Sequence, residues 1–421
     1  MRRSQATSAV VVLCALAVIA YWPAQKLPFI ADDYVQIQLG RDYGAVHSWI
    51  ALMRDPLYRC RATSVVLTHW TEQVAGLNPL FFNLSSLFLH ISNTLLVFAL
   101  GSWAVIGWKR SFAAAVFFAV AEGHQEAVIW YAAVPELLVF LFSATTFLAF
   151  VWSITHERWR SICYVTALAS FVLALASKES AVVTVGALAL ACIIQRLPLR
   201  QLFRLLIPFG LLATGYVYAI FASSGTILHF HDGAFSLSGP FIATSINSAA
   251  HIMWFWGIPA IIALFVWDRE AIRTVLPVSL SWMFIALFPY SFLTYMNRVP
   301  SRHTYFASVG LSLIVATAFL AVTSSRRKTW TLALATIVLV YNCAYLWTKK
   351  QAQYERRAES TEQLLRVYSR NPSSVRIECF PYSRWIAQYA VEIGTGRNWN
   401  ERTWQPRLRC DPDQTVITAE Y

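Results

Sequence analysis

The chain opens with Arg2-Arg3, runs through Ser8-Ala9-Val10-Val11-Val12-Leu13-Cys14-Ala15-Leu16-Ala17-Val18-Ile19-Ala20-Tyr21-Trp22, and soon reaches Ala31-Asp32-Asp33. Lys and Arg stay on the cytoplasmic side of a membrane-spanning segment. A basic flag before an apolar run therefore places the acidic pair on the opposite face. The small residues Ala15, Ala17 and Ala20 would also suit a cleavable signal. Bulky Tyr21-Trp22-Pro23 at the end of the run and further apolar segments downstream favour a retained anchor.

The same grammar repeats along the chain. Of 421 residues 57% are hydrophobic and only 13% charged, and the mean hydropathy is +0.49. One water-soluble core could not hide that much apolar surface. Runs near the roughly 20 residues that cross ~30 Å of hydrocarbon fall at about 8–22, 80–105, 111–121, 136–154, 161–176, 181–194, 205–222, 249–267, 274–290, 305–322 and 330–347. The expectation is an all-α integral membrane bundle of about eleven transmembrane helices over residues 1–347, with a small extracytoplasmic C-terminal domain over 348–421.

A net charge of +12 could suit nucleic acid, but its placement excludes that class. Arg2/Arg3, Lys109/Arg110, Arg158/Arg160, Arg196/Arg200/Arg204, Arg269/Arg273 and Arg326/Arg327/Lys328 occupy alternate connections. They are topology signals. The N-terminus is thereby cytoplasmic and the C-terminal domain lies on the other side. Compact size and a short tail favour a bacterial inner membrane, with the working face outward.

The cysteines form no Cys-x-x-Cys or Cys/His cluster, which argues against structural zinc. Cys163, Cys192 and Cys343 fall within helices, and Cys14 lacks a lipoprotein context. Cys379 and Cys410 lie in the polar tail, on the oxidising side, where a bridge between them is expected; Cys60 reads as an unpaired loop thiol.

Ionisable groups collect at the outer ends of the helices, whereas the inner loops stay short and basic. Charged residues at membrane depth mark working sites. The first outer loop, 23–79, is long and carries Asp32, Asp33, Arg61 and Glu72 among others. Its Val46, Trp49, Ile50 and Met53 have helical spacing and predict an interfacial amphipathic helix. The second holds His124 and Glu126 beside Gly123, and Glu136 opens the next helix. Further on come Ser177-Lys178-Glu179-Ser180 and Arg298-Val299-Pro300-Ser301-Arg302-His303. Carboxylates at two such sites could supply a general base and an anchor for an acceptor hydroxyl. Guanidinium groups suit phosphate because their planar fork donates paired hydrogen bonds.

Each feature has a plainer reading. Adjacent aspartates after a helix also form solvated turns. His124 and Glu126 could simply pair with Lys178 or an arginine, and Arg298 and Arg302 could anchor lipid headgroups. His229, His231 and Asp232 have a metal-like spacing without a third firm ligand.

Four segments occur in an order that resembles a known family. They are Phe82-Asn83-Leu84-Ser85-Ser86-Leu87-Phe88-Leu89-His90-Ile91-Ser92-Asn93-Thr94-Leu95-Leu96, His124-Gln125-Glu126-Ala127-Val128-Ile129-Trp130, Leu175-Ala176-Ser177-Lys178-Glu179-Ser180-Ala181 and Arg302-His303-Thr304-Tyr305-Phe306-Ala307-Ser308-Val309-Gly310-Leu311. Together, over about Ala31 to Leu311, they resemble the membrane half of the transmembrane O-mannosyltransferases with tetratricopeptide repeats and their bacterial relatives, within the GT-C superfamily. The resemblance implies an inverting hexosyl transfer from a polyprenyl-phosphate sugar to an acceptor hydroxyl on the outer face. It puts the catalytic base at Asp32 or Asp33, with a catalytic role for Glu126, and His124 and Glu136 at the acceptor or second-loop site. The family's usual Lys-Asp before the fourth span is here Pro135-Glu136, and an upstream His is Ala121. After Trp347 no period of about 34 residues recurs, so the repeats are absent.

A departing phosphate needs positive charge, which Lys178, Arg298 and Arg302 can supply, so no cofactor is obligatory. A divalent metal stays open. The expected partners are the lipid-linked donor, a protein or glycan acceptor, and membrane lipid. Two alternatives remain: a flippase or transporter of lipid-linked glycan, and a glycan polymerase or ligase using a lipid diphosphate donor.

Overall fold

The computed structural model describes residues 3–49, 61–222, 239–293, 298–324, 328–370, 374–406 and 414–419, with single residues at 236, 372 and 411. Helix α1 (Arg3–Tyr21) leads into the first outer loop, which folds into two helices, α2 (Asp33–Tyr43) and α3 (Ala62–Ala75). Helices α4 (Pro79–Ala99), α5 (Trp108–Val120), the short α6 (Gln125–Ile129), α7 (Val134–Thr155), α8 (Arg160–Leu175), α9 (Thr184–Ile194) and α10 (Leu199–Ala222) follow. Beyond them come α11 (Phe241–Met253), α12 (Gly257–Trp267), α13 (Arg269–Leu287), α14 (Ser308–Ser324) and α15 (Lys328–Tyr345).

A helix lies on each of the eleven expected segments, but fewer qualify as spans. Six helices are long and apolar enough to cross a membrane, or up to eight if each bent pair is one span. The difference has local causes. The chain bends by 55° between α5 and the Glu122–Ile129 turns and by 71° between α11 and α12, while Glu179–Ile194 and Ser308–Thr323 are short. With so many apolar helices, the protein is a multi-pass membrane protein.

Helix α4 shows how the bundle is built. Asn78 caps it by accepting from Leu80 N at 3.1 Å, and Pro79 sits in the first turn, where a missing N–H costs nothing. Its buried face carries Asn83, Ser86, His90, Asn93 and Thr94, while Phe81 and Phe88 point outward. Polar groups turned inward bind helices together where lipid removes the usual hydrophobic drive. Asn83 donates to Leu27 O at 3.1 Å, and Asn93 donates to Leu137 O at 3.0 Å. The family-like segment Phe82 to Leu96 is thus the seam that joins α4 to the first loop and to α7.

The expected interfacial helix of the first outer loop falls partly outside the described residues. Val46–Ser48 is a single 3-10 turn, and residues from 50 to 60, Cys60 included, lie outside the described residues. The ordered helices are α2 and α3, packed closely at Gly40, where an added Cβ would meet Thr68 Cγ2 at 2.9 Å. His229, His231, Asp232 and Cys410 also lie outside the described residues.

The C-terminal segment departs from an all-helical reading. Helix α16 (Gln351–Arg370) buries Tyr354, Ala358, Thr361, Leu364 and Tyr368 on one face. After it, β1 (Val375–Cys379) alternates buried and outward residues and pairs antiparallel with β2 (Val416–Ala419). Period-two alternation of Val375, Ile377 and Cys379 selects a strand there. Helix α17 (Arg384–Thr395) closes a small core of Leu364, Tyr368, Val375, Ile377, Ala387 and Val391. Cys379 is disulfide-bonded, whereas Cys14, Cys163, Cys192 and Cys343 are free.

Candidate functional site

The turn that delivers the acidic pair is strained. Ala31 has φ 44°, a left-handed conformation that side chains with a Cβ rarely adopt and that clusters at functional sites. The turn survives because Asp33 clamps it from both sides. Its Oδ2 accepts from Ile30 N at 2.8 Å and its Oδ1 from Ala132 N at 2.7 Å. Asp33 is buried, and burial pushes its carboxyl up to about 7 against those two donors. It ties the first outer loop to the second.

Asp32 turns the other way, onto a cavity of about 360 Å³. Among the described residues its carboxylate has no hydrogen-bond partner. Burial raises its pKa, and the nearby charges of Arg302 and Arg357 oppose the rise. The cavity is walled by Gln36 and Leu39 of α2, by Arg61, by the Trp130–Glu136 stretch, by Lys178 and Glu179, by Tyr290 and Leu293, and by Arg302 and His303. Residues of three outer connections and of the 290–303 stretch, far apart in sequence, therefore meet at one end of the bundle.

Two ion-paired groups form its wall. Glu136, at the start of α7, takes Lys178 Nζ and His303 Nδ1 on one carboxylate oxygen and Tyr290 OH at 3.2 Å on the other. The imidazole of His303 stacks on Tyr290 at 4.3 Å between centroids, and Lys178 Nζ lies 5.1 Å from the same ring. All of these side chains are buried. Glu126 lies behind the wall. It pairs with the Arg302 guanidinium and accepts from Ser301 Oγ at 2.9 Å and Arg302 N at 3.2 Å. Arg302 in turn lies 5.2 Å from the Trp130 ring centroid. Glu126 is thus occupied in aiming an arginine at the cavity.

His124 and Arg298 do not join the cavity. His124 sits beneath it among aromatic rings, 4.4 Å from Phe118 and 4.6 Å from Tyr305 between centroids. Its Nε2 lies 2.7 Å from Ser308 Oγ, which itself donates to Tyr305 O, so the imidazole is the donor. Arg298 is exposed and lies 3.3 Å from His251 Nδ1. The sequence reading names no site role for Tyr290, His303, Arg61 or Glu179. Tyr290 and His303 lie at helix breaks, the latter inside a quoted motif, and only the fold shows that they face Glu136. Among the described residues no three His, Cys, Asp or Glu side chains are grouped to hold a metal ion.

Among the described residues, the Asp32 carboxylate, without a hydrogen-bond partner, shares the wall of one small cavity with the cations of Lys178 and Arg302. That is the layout for removing a proton from an entering hydroxyl while an anion forms nearby.

No protein-family model and no curated protein sequence matches the chain. Solved structures do. The archaeal oligosaccharyltransferase AglB from Archaeoglobus fulgidus, in complex with an inhibitory peptide and a dolichol-phosphate, is similar with a TM-score of 0.54 and 11% identity, over 95% of this chain and 65% of that one. The same organism's oligosaccharyltransferase with Zn and sulfate gives 0.53 at 12% identity, over 93% and 62%. ArnT from Cupriavidus metallidurans bound to undecaprenyl phosphate gives 0.50 at 14%, over 93% and 76%. The chain has the GT-C fold shared by these membrane glycosyltransferases, and it spans 65% of the AglB chain's length.

Proposed function

We propose that the chain is an inverting glycosyltransferase that moves a hexosyl group from a polyprenyl-phosphate donor to an acceptor hydroxyl of a protein or glycan, at the outer face of a bacterial inner membrane. The observation that carries this reading is the Asp32 carboxylate, unpartnered among the described residues and opposite Arg302 and Lys178 in one cavity. The GT-C fold supports it, as does the presence of dolichol-phosphate in the AglB complex and undecaprenyl phosphate in the ArnT complex.

In this reading Asp32 takes the acceptor proton as the acceptor oxygen bonds to the anomeric carbon from the side opposite the phosphate. The bond from that carbon to the phosphate oxygen breaks, and its electron pair leaves with polyprenyl phosphate. Lys178 and Arg302 stabilise the departing anion, with Arg61 on the same wall. Glu136 and Glu126 hold those cations in place. Arg298, pointing elsewhere, takes no part, and Asp33 is a clamp.

The test is purified protein in nanodiscs with a panel of polyprenyl monophosphate and diphosphate sugars, following release of the lipid phosphate. Asp32→Asn should keep donor binding and lose transfer by about 10²-fold or more, the usual worth of a positioned base. If no donor turns over while lipid-linked glycan crosses vesicles containing either form, the reading fails and a flippase replaces it. Turnover of diphosphate donors alone would replace it with a polymerase or ligase.

A further inference from the structure

Helix α16 continues from α15 through the Leu346–Lys350 turns and leans its first turns on the second outer loop. Tyr354 OH donates to Gln125 Oε1 at 2.7 Å. One turn later the Arg357 guanidinium lies 4.6 Å from the Trp130 ring centroid and 5.3 Å from that of Tyr354. Arg302 lies 5.2 Å from the same Trp130 ring. One indole of the cavity wall thus carries two arginines, one from the membrane bundle and one from the C-terminal segment.

Their charges are answered differently. Arg302 is paired with Glu126. Arg357 is half-buried, and among the described residues it has no carboxylate within ion-pair distance. Leaving a cation partly out of water without a counter-charge is costly, so something must hold it there. Tyr382 OH, just beyond β1, donates to Arg357 O at 2.5 Å and pins this turn of the helix. Helix α17 packs against α2, which starts at Asp33, next to Asp32. The nearby acid without a partner is Asp32, which feels both guanidinium charges.

We propose that Arg357 is a positioning residue of the cavity: it packs on the Trp130 ring that Arg302 also meets and keeps a positive charge near Asp32, so that the C-terminal segment completes the site. The catalytic consequence rests on the reading of Asp32 as the base. The charged and titratable groups that surround Asp32 are Asp33 beside it on α2, Arg302 and His303 from the turn before α14, Arg61, the buried Glu136, Lys178 and Glu179, and Tyr290. Arg302 among these, together with Arg357 itself, supplies the charge that favours the ionised form.

The test reads Asp32 directly. Carbodiimides attack protonated carboxyl groups, so labelling of Asp32 as a function of pH, followed by peptide mass spectrometry on the full chain in nanodiscs, reports its titration. Arg357→Gln and Arg357→Met remove the charge, the latter keeping an apolar stem over Trp130; Arg357→Lys keeps the charge but loses the flat fork. Either neutral variant should move the labelling midpoint up by about 0.5 pH or more, since removing a nearby opposite charge raises a carboxyl pKa. The lysine variant should stay near the wild type. The acid limb of the transfer rate should move with the label.

An unmoved midpoint in a folded neutral variant overturns the proposal. So does a change in donor or acceptor KM with an unchanged midpoint, which would make Arg357 a substrate-binding group. If Asp32→Asn retains transfer, the base reading falls while the labelling result still decides what Arg357 does to Asp32.

Discussion

His124 and Glu126 stand two residues apart in one turn, yet they belong to regions built on opposite rules. His124 goes down into an aromatic layer with His90, Phe118 and Tyr305, where every polar contact joins neutral partners. There His90 Nε2 meets Ala119 O at 3.1 Å, its Nδ1 meets Tyr305 OH at 2.8 Å, and Asn93 donates to the same hydroxyl at 3.3 Å. Glu126 goes up to the rim, where charges pair with charges beside open volume. Glu136, Lys178 and His303 of the rim are buried too, so burial alone does not mark a working group. The mark is a charged or unpartnered group beside a space that a substrate can enter. Asp32 and Asp33 divide in the same way, one onto the cavity and one onto backbone amides.

The largest expected effect tests the charged layer. Lys178→Met strands the buried Glu136 carboxylate, and breaking such a pair by removing one partner costs about 3–5 kcal/mol. The loss should appear as a lowered denaturation midpoint in detergent. Adding Glu136→Leu removes the stranded charge and should restore most of the stability without restoring transfer. If the double variant transferred sugar normally, the pair would be mere bundle glue and the two layers would not differ in kind.

Next comes the contrast between the aspartates. Asp32→Asn should cost transfer about 10²-fold or more in protein of unchanged stability, whereas Asp33→Asn should act first on stability, because an amide accepts through one oxygen only and sets its NH2 against one of the two backbone amides of Ile30 and Ala132. The reverse order would exchange their roles. Stability should separate them again. The Asp33 carboxyl is raised from the ordinary value to about 7 by burial, so folding favours its protonated form. Its contribution is present below the ordinary carboxylate range and is lost as pH rises through about 7. Melting temperature between pH 5 and 8 should therefore fall in the wild type, and Asp33→Asn should lack that component. An identical pH profile for both would remove the clamp.

Much of this was legible before the fold. The Asp pair, Lys178, Glu136 and Arg302 were marked by their placement at the outer ends of apolar segments, and the cavity contains all but Asp33. Hydropathy located a helix at each expected segment because the bilayer leaves the backbone few other choices. What stayed hidden were relations that pattern cannot carry. Nothing in His124-Gln125-Glu126 says that the chain bends there and sends neighbours to different layers. Tyr290 and His303 matter because two breaks come together over Glu136, a matter of packing, not of period. The strand pair in the tail is short, and β1 finds its partner some forty residues on, so the alternation of Val375, Ile377 and Cys379 carries no sign of the pairing.

The smallest expected effect probes the neutral layer, and it is the most exacting for the comparison. Tyr305→Phe deletes one hydroxyl that serves two buried partners, His90 Nδ1 and Asn93 Nδ2. Stranding buried polar groups costs about 1–3 kcal/mol, so the variant should denature earlier than the wild type but less severely than Lys178→Met. Asn93 keeps its bond to Leu137 O, which places the cost toward the lower part of that range. The hydroxyl does not line the Asp32 cavity and carries no charge toward Asp32, so kcat at saturating donor should change by less than about threefold, under about 0.7 kcal/mol of barrier. A loss of transfer comparable with that of Asp32→Asn, in protein that remains folded, would mean that the aromatic layer transmits its packing to the cavity through His303 and Arg302, which stand on the same turn as Tyr305. The division between a structural layer and a chemical one would then be drawn in the wrong place.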